Sequence, residues 1–287
     1  MRAVAVIQAR MGSARLPGKV MLPIGGKTML DRVCDQVARI KSLDDWVVAV
    51  PESDAACVRA PHRWLGPSVP LARYAAAAEH FKADIIMRIT ADCPLLDAEV
   101  ATAILAEFRL SSGRGYLSNV RPRRLHPDGC DVEVFTREML DHQVPHAGPE
   151  EWEHVTAGMP AWFFPALEPM GVDLRWTVDT EADLEFVREV YRGLGDRPVS
   201  IANVLSVVPG DACEHCAAKA PHLERLDGDG KMTTNWALHQ VPVEQGMRLP
   251  GGWSNYPAWA RTTGDGRIFV ACEAWEMARW GGTRRKS

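Results

Sequence analysis

With 46% hydrophobic and 24% charged residues over 287 positions, the chain has the composition of a folded globular protein and lacks the polar low-complexity tracts that exclude a packed core. A net charge of −4, with a single basic run at Arg284, Arg285 and Lys286, excludes a general attraction for nucleic acid or anionic membrane. No apolar run approaches the ~20 residues of a membrane-spanning helix, and seven cysteines, an odd number that includes Cys34, Cys57, Cys93 and Cys130 in apolar segments, suit reduced, buried thiols.

Met1 to Ile7 has neither a basic leader nor a cleavage pattern, so Ala3 to Gln8 reads as a first strand, and the reduced thiols give a cytoplasmic protein as the expectation. A glycine- and arginine-bearing loop follows, then an amphipathic stretch from Thr28 to Ile40 with Met29, Leu30, Val33, Val37 and Ile40 at helical spacing. Trp46 to Val50 predicts a buried strand, Leu71 to Phe81 an alanine-rich helix, and Asp84 to Ile89 a third strand running into Thr90-Ala91-Asp92-Cys93-Pro94. Asp97 suits the N-cap of a helix reaching about Phe108. Between Tyr116 and Phe135 two short strand-like runs are interrupted by Pro122, Pro127 and Gly129, the second run being Cys130 to Phe135. Arg175 to Val178 is again strand-like, and Glu181 to Tyr191 has a helical apolar side. This alternation predicts an α/β fold with a mainly parallel sheet, flanking helices and ligands gathered at the carboxyl ends of the strands. Glycine, proline and tryptophan rise after about Pro209, so the expected organisation is one domain over 1–208 and a small appendage over 209–287.

The segment Gln8-Ala9-Arg10-Met11-Gly12-Ser13-Ala14-Arg15-Leu16-Pro17-Gly18-Lys19 follows a strand and joins two glycines, three cations and a hydroxyl. Backbone N–H groups exposed by glycine, arginine forks and a lysine charge together suit a triphosphate, in a spacing unlike the P-loop. A solvated basic loop is the alternative. Asp92 follows directly on a strand beside that loop, where a carboxylate can hold Mg²⁺ together with phosphate oxygens; an N-cap or Asx-turn before Pro94 is the other reading. Asp179 is a candidate second ligand, or part of the cap of the following helix.

These residues, with Arg88-Ile89-Thr90-Ala91-Asp92-Cys93-Pro94-Leu95, Pro127 to Phe135, Glu153-His154-Val155-Thr156 and Arg175 to Thr180, closely resemble the spore-coat polysaccharide biosynthesis cytidylyltransferase-like family, and more distantly the CMP-Kdo and CMP-acylneuraminate synthetases, over about residues 1–205. The resemblance implies the nucleotide-diphospho-sugar transferase (Rossmann-like) fold. It implies transfer of CMP from CTP, with Mg²⁺, to a small anionic or sugar acceptor, with release of pyrophosphate. It puts Ala9, Arg10, Met11, Gly12, Ser13, Arg15 and Lys19 at the nucleotide, with Arg73 approaching it. Arg10, Lys19 and Asp92 are then the catalytic set, and Asp92 with Asp179 the magnesium ligands. Asp131, Glu133, Glu153 and His154 match acceptor-side positions, although Asp131 and Glu133 alternate with Val132 and Val134 as the wet face of a strand would. Ala91 stands where relatives commonly have glycine, and the stretch between Val50 and Leu71 is short.

In the appendage, Cys213-Glu214-His215-Cys216 has the spacing of a zinc half-site that two of His222, His239 and Cys272 could complete, His239 and Cys272 being the expected pair; two ordinary thiols are the alternative. A glycosyltransferase on the same fold and a catalytically silent scaffold are the competing functions, and a homodimer is the expected assembly.

Overall fold

The computed structural model describes residues 1–110, 115–121, 124–148, 152, 154–159 and 174–208, together with the backbone of short strands between 225 and 270. The chain divides into two units, Met1–Ile201 and Ala202–Ser287.

The first unit is built on a six-stranded sheet in the order β5-β4-β1-β6-β8-β7, formed by β1 (Ala3–Gln8), β4 (Asp45–Pro51), β5 (Arg63–Gly66), β6 (Ile85–Thr90), β7 (Tyr116–Ser118) and β8 (Glu133–Thr136). β1, β4, β5 and β6 pair in parallel, while β8 is antiparallel to both β6 and β7. Ala3 to Ile7 is wholly buried, as a central parallel strand covered on both faces requires. On one face Val4, Val6, Val47, Ala49, Ile86 and Phe135 form a core with α2 (Pro70–His80) and α4 (Arg137–Gln143) through Leu71, Tyr74, Ala77 and Leu140. A hairpin of β2 (Pro23–Ile24) and β3 (Lys27–Thr28) leads into α1 (Met29–Val37).

The helix starts follow local chemistry. Thr28 caps α1 in a reciprocal box with Asp31, Pro70 opens α2, and Asp97 Oδ1 accepts from the N–H groups of Glu99 and Val100 at the start of α3 (Ala98–Leu110). Thr180 and Asp183 form a second capping box at α5 (Glu181–Leu194). The amphipathic stretch from Thr28 stops being helical at Val37, earlier than its apolar spacing predicts, and Ala38 closes it by donating to Cys34 O.

Two expected strands differ. Cys130 to Val132 stays outside β8 because Val132 N–H is taken by the Asn119 side chain, at 2.8 Å, and not by a neighbouring strand. Arg175 to Val178 makes a single bridge to Asp128, after which Val178 N–H turns to Asp92 O at 2.9 Å. Of the described cysteines, Cys34, Cys93 and Cys130 are buried free thiols, whereas Cys57 is exposed. Burial pushes the Cys34 thiol up to about 12 and raises Cys93 and Cys130 as well, which keeps them protonated.

The second unit contains an antiparallel pair, β9 (Arg225–Leu226) with β10 (Met232–Thr233), and a three-stranded antiparallel sheet in which β13 (Arg267–Val270) lies between β11 (His239–Pro242) and β12 (Arg261–Thr262). Cys213, Cys216 and Cys272 and the His239 side chain, the expected zinc ligands, lie outside the described residues. Among the described residues no helix is long and apolar enough to cross a membrane.

Candidate active site

The chain leaves β1 toward β4 and β5 on one side and returns to β6 on the other, so the carboxyl ends of β1 and β6 flank a crevice. A cleft of about 370 Å³ opens there, within the range of small-molecule sites. Its lining includes Arg10, Gly12, Ser13, Arg15 and Lys19 from the loop after β1, Asp92 from the loop after β6, and Asp179 and His154.

The loop is folded by its own backbone. Met11 O accepts from Ser13 N–H and Gly18 N–H, both at 3.0 Å, and Met11 N–H is held at 2.7 Å by Asp54. Gly18 has φ +69°, a conformation that favours glycine, and from it Lys19 enters a single helical turn that sends its side chain inward. A Cβ on Gly12 would meet nothing within 4 Å, so the loop leaves open space there. Among the described residues the N–H groups of Gly12 and Ala14 have no protein acceptor. Free N–H groups beside cations form an anion cradle.

Lys19 is only 8% exposed, and its ammonium donates to Asp92 Oδ2 at 2.7 Å, to Val178 O at 2.7 Å and to Asp179 Oδ1 at 3.0 Å. The two carboxylates therefore share one cation and lie no more than two hydrogen bonds apart. Arg15 reaches the other oxygen of Asp179, Oδ2, at 2.9 Å, and Arg175 pairs with that same oxygen. Burial alone would raise the Asp179 carboxyl; Lys19, then Arg175 and Arg15, outweigh it and hold it below its ordinary value. Neither aspartate is a helix cap: Asp97 and Thr180 occupy those positions. Among the described residues no three metal-binding side chains cluster. Two carboxylates already gathered around a cation are nevertheless the hard-oxygen donor set that suits Mg²⁺, an ion that takes one or two protein carboxylates and completes its shell with phosphate and water.

Several other expected site residues stand elsewhere. Arg73 is buried under the β5 end, donating to Pro67 O and Ser68 O at 2.8 Å, and does not line the cleft. Ala9 is buried and Met11 serves as the loop's backbone staple. Asp131 pairs with Arg124 at 2.6 Å, away from the cleft. Glu133 is not on a wet face: it is 5% exposed and accepts from Tyr116 Oη and Thr156 Oγ1, both at 2.6 Å, while pairing with Arg88. Burial would raise the Glu133 carboxyl, but Arg88 and the two hydroxyls outweigh that and hold it low. The bond from Thr156 also ties the His154-Val155-Thr156 segment to the sheet, and His154 lies on the rim of the cleft; Glu153 is outside the described residues. Gln8, Arg88 and Thr90 also line the cleft, three residues that the sequence does not mark as part of a site. Their signal was a polar side chain within an apolar strand.

Comparison with known proteins gives the family. Residues 4–122 match the family described as cytidylyltransferase. The spore coat polysaccharide biosynthesis protein SpsF of Bacillus subtilis (strain 168) is 31% identical over 227 residues, covering 71% of this chain and 92% of that protein. This chain belongs to the cytidylyltransferase family. A solved cytidylyltransferase from Leptospira borgpetersenii serovar Hardjo-bovis (strain JB197) superposes on the enzyme with a TM-score of 0.65 at 27% identity, over 72% of this chain and 93% of the other. The 3-deoxy-manno-octulosonate cytidylyltransferase of Trichlorobacter lovleyi (strain ATCC BAA-1151 / DSM 17278 / SZ) is 31% identical over 116 residues, 38% of this chain and 45% of that protein. This cytidylyltransferase is thus a nucleotidyltransferase on a mainly parallel α/β sheet, with the cleft at the strand ends.

Proposed function

We propose that the enzyme transfers CMP from CTP to a hydroxyl-bearing small acceptor of the sugar-acid class, with Mg²⁺ and release of pyrophosphate. The observation that carries this reading is the Lys19 ammonium held between Asp92 and Asp179 on the floor of a cleft edged by the cationic loop. In-line transfer at phosphorus demands orientation and charge neutralisation more than covalent chemistry from the protein. Arg10, Arg15, Ser13 and the N–H groups of Gly12 and Ala14 would receive the β- and γ-phosphates. Lys19 would move from the aspartates onto the departing pyrophosphate, leaving Asp92 and Asp179 to the metal. The divalent ion, when bound, would neutralise charge at the α-phosphate and lower the pKa of the attacking hydroxyl. The acceptor oxygen then bonds to the α-phosphorus as the bond to the β-phosphate bridge breaks. The relatives named for 3-deoxy-manno-octulosonate support a sugar acid as acceptor.

Pyrophosphate release tests the reading, with each of the four nucleoside triphosphates, Mg²⁺ and a panel of sugar acids. Release is expected with CTP. Asp92→Asn is expected to lower kcat by about a hundredfold or more while retaining metal-independent CTP binding, and Lys19→Ala to weaken both. Turnover by Asp92→Asn at the wild-type rate would remove the metal role.

A further inference from the structure

The wall of the cleft formed by β1 and β6 carries two buried polar atoms that no protein group satisfies. Gln8 Oε1 and Arg88 Nε have no hydrogen-bond partner among the described residues, and both side chains line the cleft. Strand register explains their proximity. Val4, Ile86 and Phe135 form an apolar row across β1, β6 and β8; Val6, Arg88 and Glu133 form the next; Gln8 and Thr90 form the last before the loops. Side chains two residues apart on a strand share a face, so Gln8 and Arg88 belong to the same face, one row apart on neighbouring strands.

The remainder of Arg88 is fixed. One terminal nitrogen, Nη1, pairs with Glu133, whose other oxygen accepts from Tyr116 and Thr156, so the guanidinium charge is balanced. Buried polar atoms are nearly always satisfied, by protein, water or ligand. Here one wall offers an unused acceptor and an unused donor with no net charge. A phosphate or carboxylate oxygen only accepts, so it could not satisfy Gln8 Oε1. A hydroxyl donates and accepts at once and satisfies both.

We infer that Gln8 and Arg88 form a hydroxyl-binding subsite for a polyhydroxylated acceptor, which donates to Gln8 Oε1 and accepts from Arg88 Nε–H. Only the word acceptor rests on the CMP-transfer reading. Asp92 lies in the loop directly after β6, and His154 is tied to Glu133 of β8 through Thr156, so this wall lies on the far side of the phosphate loop from β4 and β5. A compound attacking a phosphorus held at Asp92 approaches along it.

The test is calorimetric titration of the full chain with 3-deoxy-manno-octulosonate and with sorbitol, with and without Mg²⁺ and a CTP analogue that cannot be cleaved between the α- and β-phosphates. Gln8→Met keeps the shape of the side chain without its carbonyl, and Arg88→Lys keeps the charge opposite Glu133 without the Nε–H. At least one probe is expected to bind the wild type, and each variant to weaken that binding about tenfold, the loss of one hydrogen bond, while analogue affinity changes less than about threefold. Failure of both probes to bind the wild type overturns the subsite. So does unchanged probe binding in both variants, or a loss confined to the analogue, which would give the pair to the nucleotide. If the analogue binds normally and the variants leave the probes untouched, the subsite falls and the transfer reading stands. If the probes depend on Gln8 and Arg88 in a chain that does not bind the analogue, the transfer reading falls and the hydroxyl site stands.

Discussion

Glu133 and Lys19 are buried charges with opposite assignments. Glu133 accepts from Arg88, Tyr116 and Thr156 and holds the cleft wall, whereas Lys19 bridges two carboxylates that a nucleotide would have to separate. Removing one partner of a buried, fully bonded pair leaves the other charge uncompensated, so Glu133→Ala is expected to destabilise the fold by about 3–5 kcal/mol, read as a lowered denaturant midpoint. The pH dependence has a definite sign. The Glu133 carboxyl lies lower in the folded than in the unfolded chain, so its contribution is present above the unfolded value and disappears as pH falls through the folded one. Wild-type stability should therefore drop on the acid side of the ordinary glutamate range, and Glu133→Gln should flatten that part of the curve. An unchanged acid limb in Glu133→Gln would contradict the ion pair. None of this was legible from Glu133 itself, because alternation with Val132 and Val134 fits a solvated strand face equally well. The partners that decide it come from positions 88, 116 and 156.

At the level of elements, the acidic end of the site is positioned by two short pieces of backbone. Gly129 has φ +112°, and a Cβ there would lie 2.8 Å from both Thr177 N and Trp176 C, so only glycine permits the 127–130 turn to lie against 174–177. Because the clash is with backbone, Gly129→Ala is expected to cost more than about 1 kcal/mol and to shift Arg175 and Asp179 with it; a thermal midpoint equal to wild type would contradict the packing. Asp183 Oδ2 accepts from Asp179 N–H at 2.9 Å, Thr180 N–H at 2.7 Å and Thr180 Oγ1 at 2.8 Å, so the cap of α5 also orients the backbone of Asp179. Thr180→Ala is expected to destabilise by about 1 kcal/mol in denaturant titration and to weaken the metal-dependent part of CTP binding. The helices and parallel strands were readable because caps and apolar spacing are local. The strand-like segment 175–178 makes only one bridge because its hydrogen bonds go to Asp128 and Asp92, contacts that periodicity does not encode.

Across the whole molecule, the six-stranded sheet brings the loop after β1 and the loop after β6 to adjacent strand ends, which is why residues 19, 92 and 179 meet. That convergence was partly legible, since strand-loop-helix alternation predicts ligands at the strand ends, but the direct Lys19 contacts and the burial of Arg73 required the folded chain. The described cleft-lining residues all fall within Met1–Ile201, so a fragment spanning 1–208 is expected to bind CTP within about threefold of the full chain, by calorimetry on the 1.4 kcal/mol-per-decade scale. The most direct measurement is a crystal structure with CTP and Mn²⁺, the metal located by its anomalous scattering. The expected result is one manganese bonded to Asp92 and to the α-phosphate, with the Lys19 ammonium moved onto the β- or γ-phosphate of the same nucleotide. A triphosphate bound away from the 10–19 loop, or a metal away from Asp92 while Lys19 still bridges the two aspartates, would contradict the account.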